Sequence, residues 1–372
     1  MIRFTPSLAP EDLRCRLERL IPPRIDPSRF QPGLRRLQSM SAAFAAFCSP
    51  PWPSPGLCLT PEAHYQSELW FPLAEVRPIF IRFRHAALGY LPSPVGEPFS
   101  EAASWAGVAA VLPPFLSGCT TPARLLHRLL TDGRAREHYL FWSCMPDRFY
   151  GEAMDRYPRQ TDLIRQWLHQ RHPGEQPVRC LDAACGDGAA TYGLVRLLLE
   201  HGFSPACFRV EGWTIDPLEV WAAAHCTLPH ARLRQDALRR WAAPVFASGA
   251  ERSLSFRQAD LLTPPQDRRH FDLILCNGLL GGPIIHKRAE IGRIVRDLAA
   301  LLLPGGMMLA TDSFHGGWKQ KCPHHEVQAL FVAAGLVPCE AGDGVGGLKR
   351  GHVNRRPRPR AGTCAAGTRP RS

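Results

Sequence analysis

The second half of the chain alternates short apolar strands with amphipathic helices, and this alternation most restricts how the chain can fold. From about Pro146, each short apolar run is followed by a stretch with apolar residues at helical spacing. Such a series favours βαβ units, in which strands run parallel and helices cover the sheet. The sequence therefore predicts an α/β fold with a doubly wound, mostly parallel sheet. The predicted strands are Val178–Asp182, Arg209–Asp216, Leu254–Arg257, Phe271–Cys276 and Met307–Thr311.

The first 145 residues differ, because they are rich in proline and contain short helical patterns. Apolar residues recur at helical spacing over residues 13–21 and 34–47. The run Pro78–Phe83 is interpreted as a strand. We therefore predict a mainly helical N-terminal domain over residues 1–145 and an α/β domain over residues 146–345.

The last residues, 346–372, carry most of the positive charge. The net charge is +12, and residues 349–372 contain eight lysines and arginines and no acid, which leaves +4 for the rest of the chain. Arginine, proline and glycine without apolar periodicity predict a disordered basic tail. Two interpretations stay open: a tail that contacts nucleic-acid phosphates or another acidic surface, and a solvated basic end without a specific partner.

Composition narrows the class of protein. No apolar run approaches the roughly 18 residues that a membrane span needs, and the start of the chain lacks the pattern of a secretory signal. The 13 cysteines are scattered without a CxxC pair, which is typical of reduced, buried thiols. We therefore expect a soluble, cytoplasmic protein without a membrane span, a structural disulfide or a metal site.

The segment Leu181–Gly188, with the sequence LDAACGDG, lies between a predicted strand and a predicted helix. Glycines at such a turn let the backbone approach a ligand, and the N-terminus of the next helix offers free N–H groups. Asp216 and Asp260 end the second and third strands, and Asn277–Gly278 follows the fourth. Because a carboxylate after the second strand can accept ribose hydroxyls, the pattern indicates a nucleotide-like ligand.

In this order, the motifs resemble those of class I S-adenosylmethionine-dependent methyltransferases over about residues 146–340. Leu181–Gly188 is similar to that family's first motif, and Leu303–Gly306 to its L-x-P-G-G turn. The resemblance implies a Rossmann-like methyltransferase fold, S-adenosyl-L-methionine as cofactor, and methyl transfer to an oxygen or nitrogen of a small molecule or protein side chain. The resemblance implies ten cofactor-binding residues. In the glycine turn, Gly186 and Gly188 let the chain approach the methionine part, Asp182 orients its amino group, and Ala184 lies between them. Asp216, followed by Pro217, holds the ribose, Asp260 and Leu261 contact the adenine, and Asn277 and Gly278 lie beside the sulfonium.

Within that superfamily, the chain most resembles the chemotaxis-receptor glutamate methyltransferases. Phe256–Leu262 and Phe271–Cys276 are similar to their third and fourth motifs, and Arg148–Tyr150 is similar to the aromatic pair before their catalytic domain. The chain departs from that subfamily at Gly151, where an arginine is expected, and at residues 277–282, where Arg-Asn and a tyrosine are expected.

Few side chains are predicted to be catalytic, because methyl transfer depends mainly on positioning. The donor carbon must be held in line with the acceptor, and only some acceptors need a general base. Tyr150 and His315 are the candidates for the catalytic role. Two alternatives remain open: an inactive binding protein with the methyltransferase fold, and an NAD-dependent dehydrogenase. The dehydrogenase requires G-x-G-x-x-G, whereas Thr191 stands in place of the third glycine.

The end of the sheet is less clear in the sequence. The sheet of the family ends with an antiparallel pair of strands, but only Leu336–Glu340 is strand-like after the last predicted helix. Gly342–Gly344 and the basic tail follow directly. The sequence therefore leaves open whether the final strand exists.

Overall fold

The computed structural model describes residues 2–48, 59–92, 98–145, 153–172, 176–265, 270–282, 284–311 and 322–351. The strands are β1 Arg3–Phe4, β2 Val178–Asp182, β3 Phe208–Thr214, β4 Leu254–Gln258, β5 Phe271–Leu275, β6 Leu302–Ala310, β7 Leu336–Cys339 and β8 Val345–Lys349. Within the described residues they form one sheet in the order β1-β4-β3-β2-β5-β6-β8-β7.

Helices precede and separate these strands. In chain order they are α1 Pro10–Leu20, α2 Gln31–Phe47, α3 Pro61–Trp70, α4 Leu73–Ala87, α5 Pro98–Glu101, α6 Trp105–Ala110, α7 Pro122–Thr131, α8 Gly133–Cys144, α9 Pro158–His169, α10 Ala189–Glu200, α11 Pro217–His225, α12 Arg232–Ala247, α13 Arg288–Leu301 and α14 His324–Ala333. None of the helices in the described ranges is both long and apolar enough to cross a lipid bilayer.

The sheet is covered on both faces, as the alternation of strands and helices predicts. Successive residues of β5 point to opposite sides, so Leu273 and Leu275 join one hydrophobic cluster and Ile274 joins another. Tyr192 of α10 lies in the first cluster, and Ile294 of α13 lies in the second. The α/β, doubly wound prediction is therefore confirmed.

The central strands β4, β3, β2, β5 and β6 run parallel, and the antiparallel strands lie towards the edges. β1 pairs antiparallel with β4, while β8 lies between β6 and β7 and is antiparallel to both. The chain winds outward in opposite directions from β2 and β5. In open parallel sheets, such a reversal of strand order leaves a crevice at the carboxyl ends of the strands.

The N-terminal region is mainly helical, as predicted, but one prediction within it is wrong. Pro78–Phe83 is not a strand, because it lies inside α4. Val76, Phe80 and Phe83 recur at helical spacing and are all fully buried, so helix packing outweighs the β propensity of the short apolar run. The described N-terminal helices and one face of the sheet share a single hydrophobic cluster.

A final strand does exist, and the glycines at 346 and 347 conceal it in the sequence. A Cβ at Gly347 would approach the Leu336 Cβ to 2.8 Å, so this strand needs glycine to fit beside β7. The ammonium group of Lys349 donates hydrogen bonds to the Ala299 and Leu302 carbonyls at 2.9 and 2.8 Å. Residues 346–349 are therefore part of the sheet, not of a disordered tail, whereas residues 352–372 lie outside the described part.

The Pro304–Gly306 turn, predicted to precede the fifth strand, instead lies within β6. The pairing of β6 with β5 shifts register across it, since Phe271 pairs with Leu302 but Leu273 pairs with Met307. Gly305 has a φ of +79°. A residue in this left-handed region within a strand is typical of a bulge, which accommodates the extra residues.

Candidate functional site

A cavity of about 690 Å³ lies at the carboxyl ends of β2, β3, β4 and β5. Its volume is within the roughly 300–1,000 Å³ that is usual for small-molecule sites. Eight of the ten residues predicted to bind the cofactor line it, whereas Gly188 and Pro217 do not. The eight are Asp182, Ala184, Gly186, Asp216, Asp260, Leu261, Asn277 and Gly278.

The glycine turn after β2 forms one wall of the cavity. Gly186 lines the cavity with a φ of +51°. Gly188 has a φ of +85° and is the N-cap of α10, and a Cβ there would lie 2.9 Å from the ring of Phe256. The Cys185 amide donates to the Trp213 carbonyl at 2.9 Å, which ties the turn to β3. Gly188 is therefore required for packing against β4.

Two buried carboxylates hold this turn in place. Asp182 accepts a hydrogen bond from the Thr191 hydroxyl at 2.7 Å, and burial raises its pKa to about 6. Asp187 accepts from the Ala189 amide at 3.1 Å and forms an ion pair with Arg234 of α12 at 2.8 Å. The sequence analysis missed the Asp187 pair because it did not predict α12. Both acids therefore stabilise the conformation of the turn.

The prediction that Asp216 ends a strand is wrong, because β3 ends two residues earlier, at Thr214. It is the N-cap of α11, and its Oδ1 accepts hydrogen bonds from the Leu218 amide and the Tyr90 hydroxyl, both at 2.8 Å. Only 4% of Asp216 is exposed, and burial raises the pKa of its carboxyl, against the opposing effect of the Tyr90 hydrogen bond. Asp216 thus links the N-terminal region to α11.

A second carboxylate borders the cavity beside the end of β3. Glu219, in the first turn of α11, lines the cavity and accepts a hydrogen bond from the Thr214 hydroxyl. The sequence analysis missed Glu219. Its position is visible in the sequence, because an acid in the first turn of a helix that starts at a sheet's carboxyl edge lies near the crevice and is favoured by the helix dipole.

Apolar side chains line the cavity next to these carboxylates. Ile215, after β3, is 42% exposed although it is apolar, and Leu261 follows β4 on the neighbouring side. Asp260 holds the turn after β4 by accepting the Leu262 amide at 2.9 Å and the Thr263 hydroxyl at 3.2 Å. This side of the cavity therefore offers surfaces for a flat apolar group.

The turn after β5 is fixed by two side-chain amides, of which Gln160 is buried and Asn277 is partly buried. Asn277 donates to the Gln160 Oε1 at 2.7 Å, and its own Oδ1 accepts from Gln160 at 3.2 Å and from the Thr311 amide at 3.1 Å. Gln160 also donates to the Thr311 hydroxyl at 2.8 Å and is 2% exposed. The Asn277 side chain is thus engaged in the protein, and the Asn277–Gly278 turn presents mainly backbone to the cavity.

The predicted catalytic candidates, Tyr150 and His315, lie outside the described residues. Tyr157 and His286, which the sequence analysis did not select, line the cavity. The Tyr157 hydroxyl lies 4.0 Å from the point that a Cβ on Gly278 would occupy. Cys276 is 1% exposed, and burial raises its pKa to about 12, so its thiol is a poor nucleophile.

Among the described residues, no group of three or more histidines, cysteines and acids could hold a metal ion. No protein-family model matches the chain, and no curated protein matches it in sequence.

Solved structures that are similar to part of this chain include three proteins whose sequences are 14–20% identical to it. The (4+2)-cyclase SpnF is 20% identical, with 48% of this chain and 59% of that chain covered and a TM-score of 0.31. An O-methyltransferase family protein from Burkholderia thailandensis is 16% identical, with 60% and 62% covered and a TM-score of 0.35. A TehB-like SAM-dependent methyltransferase from Corynebacterium glutamicum is 14% identical, with 53% and 89% covered and a TM-score of 0.33. The chain thus spans less than two thirds of the first two proteins, and a functional assignment rests on the geometry of the cavity.

Proposed function

We propose that this protein is an S-adenosyl-L-methionine-dependent methyltransferase that acts on an oxygen or nitrogen acceptor. The observation that carries the proposal is the cavity of about 690 Å³ at the carboxyl ends of the parallel strands. Eight residues selected from four separate sequence motifs line it together. These motifs are up to 96 residues apart in the sequence (Asp182 to Gly278), and each follows a parallel strand at its carboxyl end, which is where open α/β sheets bind their ligands.

The described residues fit such a cofactor. A left-handed glycine at 186 lets the backbone approach the amino-acid portion, and apolar surfaces at Ile215 and Leu261 suit a purine ring. The carboxylates of Asp216 and Glu219 also line the cavity. When bound, the cofactor supplies a methyl group on a positively charged sulfur, which needs no further activation.

The protein's own contribution is positioning. Two side-chain contacts keep the glycine turn in one conformation: the hydrogen bond from Thr191 to Asp182 and the ion pair of Asp187 with Arg234. The Gln160–Asn277 pair fixes the turn after β5, beside which the Tyr157 hydroxyl lies. Preorganised walls of this kind align donor and acceptor, which is the main requirement for a displacement at carbon.

The topology favours this proposal over an NAD-dependent dehydrogenase. The dinucleotide-binding fold is built from six strands in a mostly parallel sheet, whereas here β8 is inserted antiparallel between β6 and β7. Thr191, which replaces the third glycine of the dinucleotide motif, is fully buried with its hydroxyl on Asp182. An inactive binding protein with the same cavity remains the second candidate.

The acceptor is proposed only by class, as a small molecule or a protein side chain. A receptor carboxylate, as the resemblance to chemotaxis-receptor methyltransferases implies, is one protein acceptor to include in a screen. Contact of the basic tail with nucleic acid is a separate proposal, since residues 352–372 lie outside the described part.

Calorimetric titration of the full chain with S-adenosyl-L-methionine, S-adenosyl-L-homocysteine and NAD tests the proposal. We expect micromolar binding of the first two and no heat with NAD. The variant Ala184→Phe places a ring in the cavity and should abolish binding. Ala243→Phe, on an exposed position of α12, is the matched control and should bind as the wild type does.

Folding of each variant is checked by thermal unfolding before titration. Absence of heat with either adenosyl compound, from folded wild-type protein, overturns the proposal. Binding without methyl transfer to any acceptor in a broad screen favours the inactive binding protein instead.

A further inference from the structure

We propose that Glu219, rather than Asp216, is the carboxylate that binds the two ribose hydroxyls of the cofactor. This inference rests on the proposed function and deepens it, because it names the group that recognises the sugar. It reassigns the role that the resemblance implies for Asp216.

The order of the strands places the sugar near the end of β3. Ile215 and Leu261 form the apolar side of the cavity, next to the ends of β3 and β4. The glycine turn with Gly186 follows β2, which is the neighbour of β3 on the other side. A purine on the apolar side and an amino acid at the glycine turn leave the ribose between them. Thr214 and Glu219 border the cavity at that point.

Asp216 is already committed to holding the protein together. Its Oδ1 accepts from both the Tyr90 hydroxyl and the Leu218 amide, and the residue is 4% exposed. Its carboxylate therefore caps α11 and also binds Tyr90, which lies 126 residues earlier in the chain. Recognition of two ribose hydroxyls uses both carboxylate oxygens, and Oδ1 of Asp216 already accepts two hydrogen bonds, from Tyr90 and Leu218.

Glu219 is oriented towards the ligand side of the same helix. The Thr214 hydroxyl, at the last position of β3, donates to its Oε2 and holds the side chain over the end of the strand. Burial chiefly raises the pKa of the Cys185 thiol, and the negative charges of Asp182 and Glu219 raise it further, which is consistent with a Glu219 carboxylate near the glycine turn. The first turn of α11 also favours a negative charge at this position.

A purely structural role for Glu219 makes a different prediction. A glutamate at the third helical position often accepts the N-cap amide as part of a capping box. In that role, its replacement lowers the free energy of unfolding but leaves recognition of the sugar unchanged. The two roles are therefore separated by measuring sugar discrimination rather than affinity alone.

The experiment compares binding of S-adenosyl-L-homocysteine with binding of its 2′-deoxyribose analogue by calorimetry. Wild-type protein should prefer the ribose compound by about tenfold to hundredfold, the usual contribution of a hydrogen bond to a charged group. Glu219→Gln should reduce this preference to less than about threefold by weakening binding of the ribose compound. Asp216→Asn should keep the preference, although it lowers stability.

Glu326→Gln is the matched control, because Glu326 is also the third residue of a helix but lies outside the cavity. It should keep the wild-type preference. If Glu219→Gln does not fold, Thr214→Val carries the test, since it removes only the hydroxyl that orients Glu219 and should also reduce the preference.

The possible results distinguish failure of the proposed function from failure of the role assigned to Glu219. Wild-type protein that binds neither compound overturns the proposed function and this inference with it. Wild-type protein that binds both compounds equally, or a Glu219→Gln variant that keeps the preference, overturns the inference alone. Loss of the preference in Asp216→Asn returns the sugar-binding role to Asp216.

Discussion

The turn after β2 and the turn after β3 form adjacent walls of the cavity, but they use their acids differently. After β2, Asp182 and Asp187 are both buried and both stabilise their own turn, through Thr191 and Arg234. After β3, Asp216 reaches out of its turn to Tyr90 in the N-terminal region, and Glu219 is left facing the cavity.

A sequence motif therefore predicts where a strand ends more reliably than it predicts which side chain binds the ligand. Every acid in these two turns has a plausible ligand role by position alone. Burial and hydrogen-bond partners identify the acids that stabilise these turns, namely Asp182, Asp187 and Asp216. Substitutions at Gly188 and Asp182 probe the turn after β2, and a substitution at Tyr90 probes the turn after β3.

Gly188→Ala should destabilise the turn after β2 most strongly. The new Cβ would lie 2.9 Å from the Phe256 ring, in a backbone with a φ of +85°. We expect the free energy of unfolding in urea to fall by about 2–4 kcal/mol, from left-handed strain together with overpacking.

Gly249→Ala is the matched control, because Gly249 has a φ of +73° but nothing lies within 4 Å of the added Cβ. Its loss should be about 1 kcal/mol, from backbone strain alone. Equal losses in the two variants would show that Phe256 packing does not require Gly188.

Asp182→Asn should change how stability depends on pH. Burial raises the pKa of Asp182 from 3.8 to about 6, so the folded protein binds a proton between these values where the unfolded chain does not. The wild type therefore gains stability as the pH falls from about 6 to about 4, by at most about 3 kcal/mol from this group, and the variant lacks that gain.

The readout is the difference in free energy of unfolding between the wild type and Asp182→Asn at several pH values. The difference is needed because His225, whose pKa burial lowers to about 4, makes the opposite contribution in the same window. Parallel pH profiles for the two proteins would contradict a buried, raised pKa at Asp182.

Tyr90→Phe should weaken the link between the N-terminal region and the turn after β3. The substitution removes the hydroxyl that donates to Asp216 at 2.8 Å and leaves a buried carboxylate with one donor fewer. We expect a loss of about 1–2 kcal/mol in thermal or urea unfolding. Sugar discrimination should not change, because it is assigned to Glu219.

Tyr65→Phe is the control for this substitution, since Tyr65 is 64% exposed and its hydroxyl group is replaced in the same way. It should leave stability nearly unchanged. A Tyr90→Phe variant as stable as Tyr65→Phe would mean that Asp216 does not depend on the N-terminal region.

The sequence predicted secondary structure correctly where the local apolar pattern matches the residues that are buried in the fold. The strands at 178–182 and 271–275 and the helix opened by Pro217 follow from apolar runs and capping residues. It was misleading where burial acts over long distances. Phe80 and Phe83 in a short apolar run suggested a strand but are buried as one face of α4, and the paired glycines of β8 hid a strand.

The α/β architecture and the turns that surround the cavity follow from the sequence alone, because hydrophobic period and glycine position are local properties of the chain. Which acids stabilise the turns depends on tertiary packing. Tyr90 and Asp216 are 126 residues apart, and Arg234 lies 47 residues from Asp187, so their pairing depends on how distant elements pack. A carboxylate's role follows from its burial and partners, and these exist only once the chain has folded.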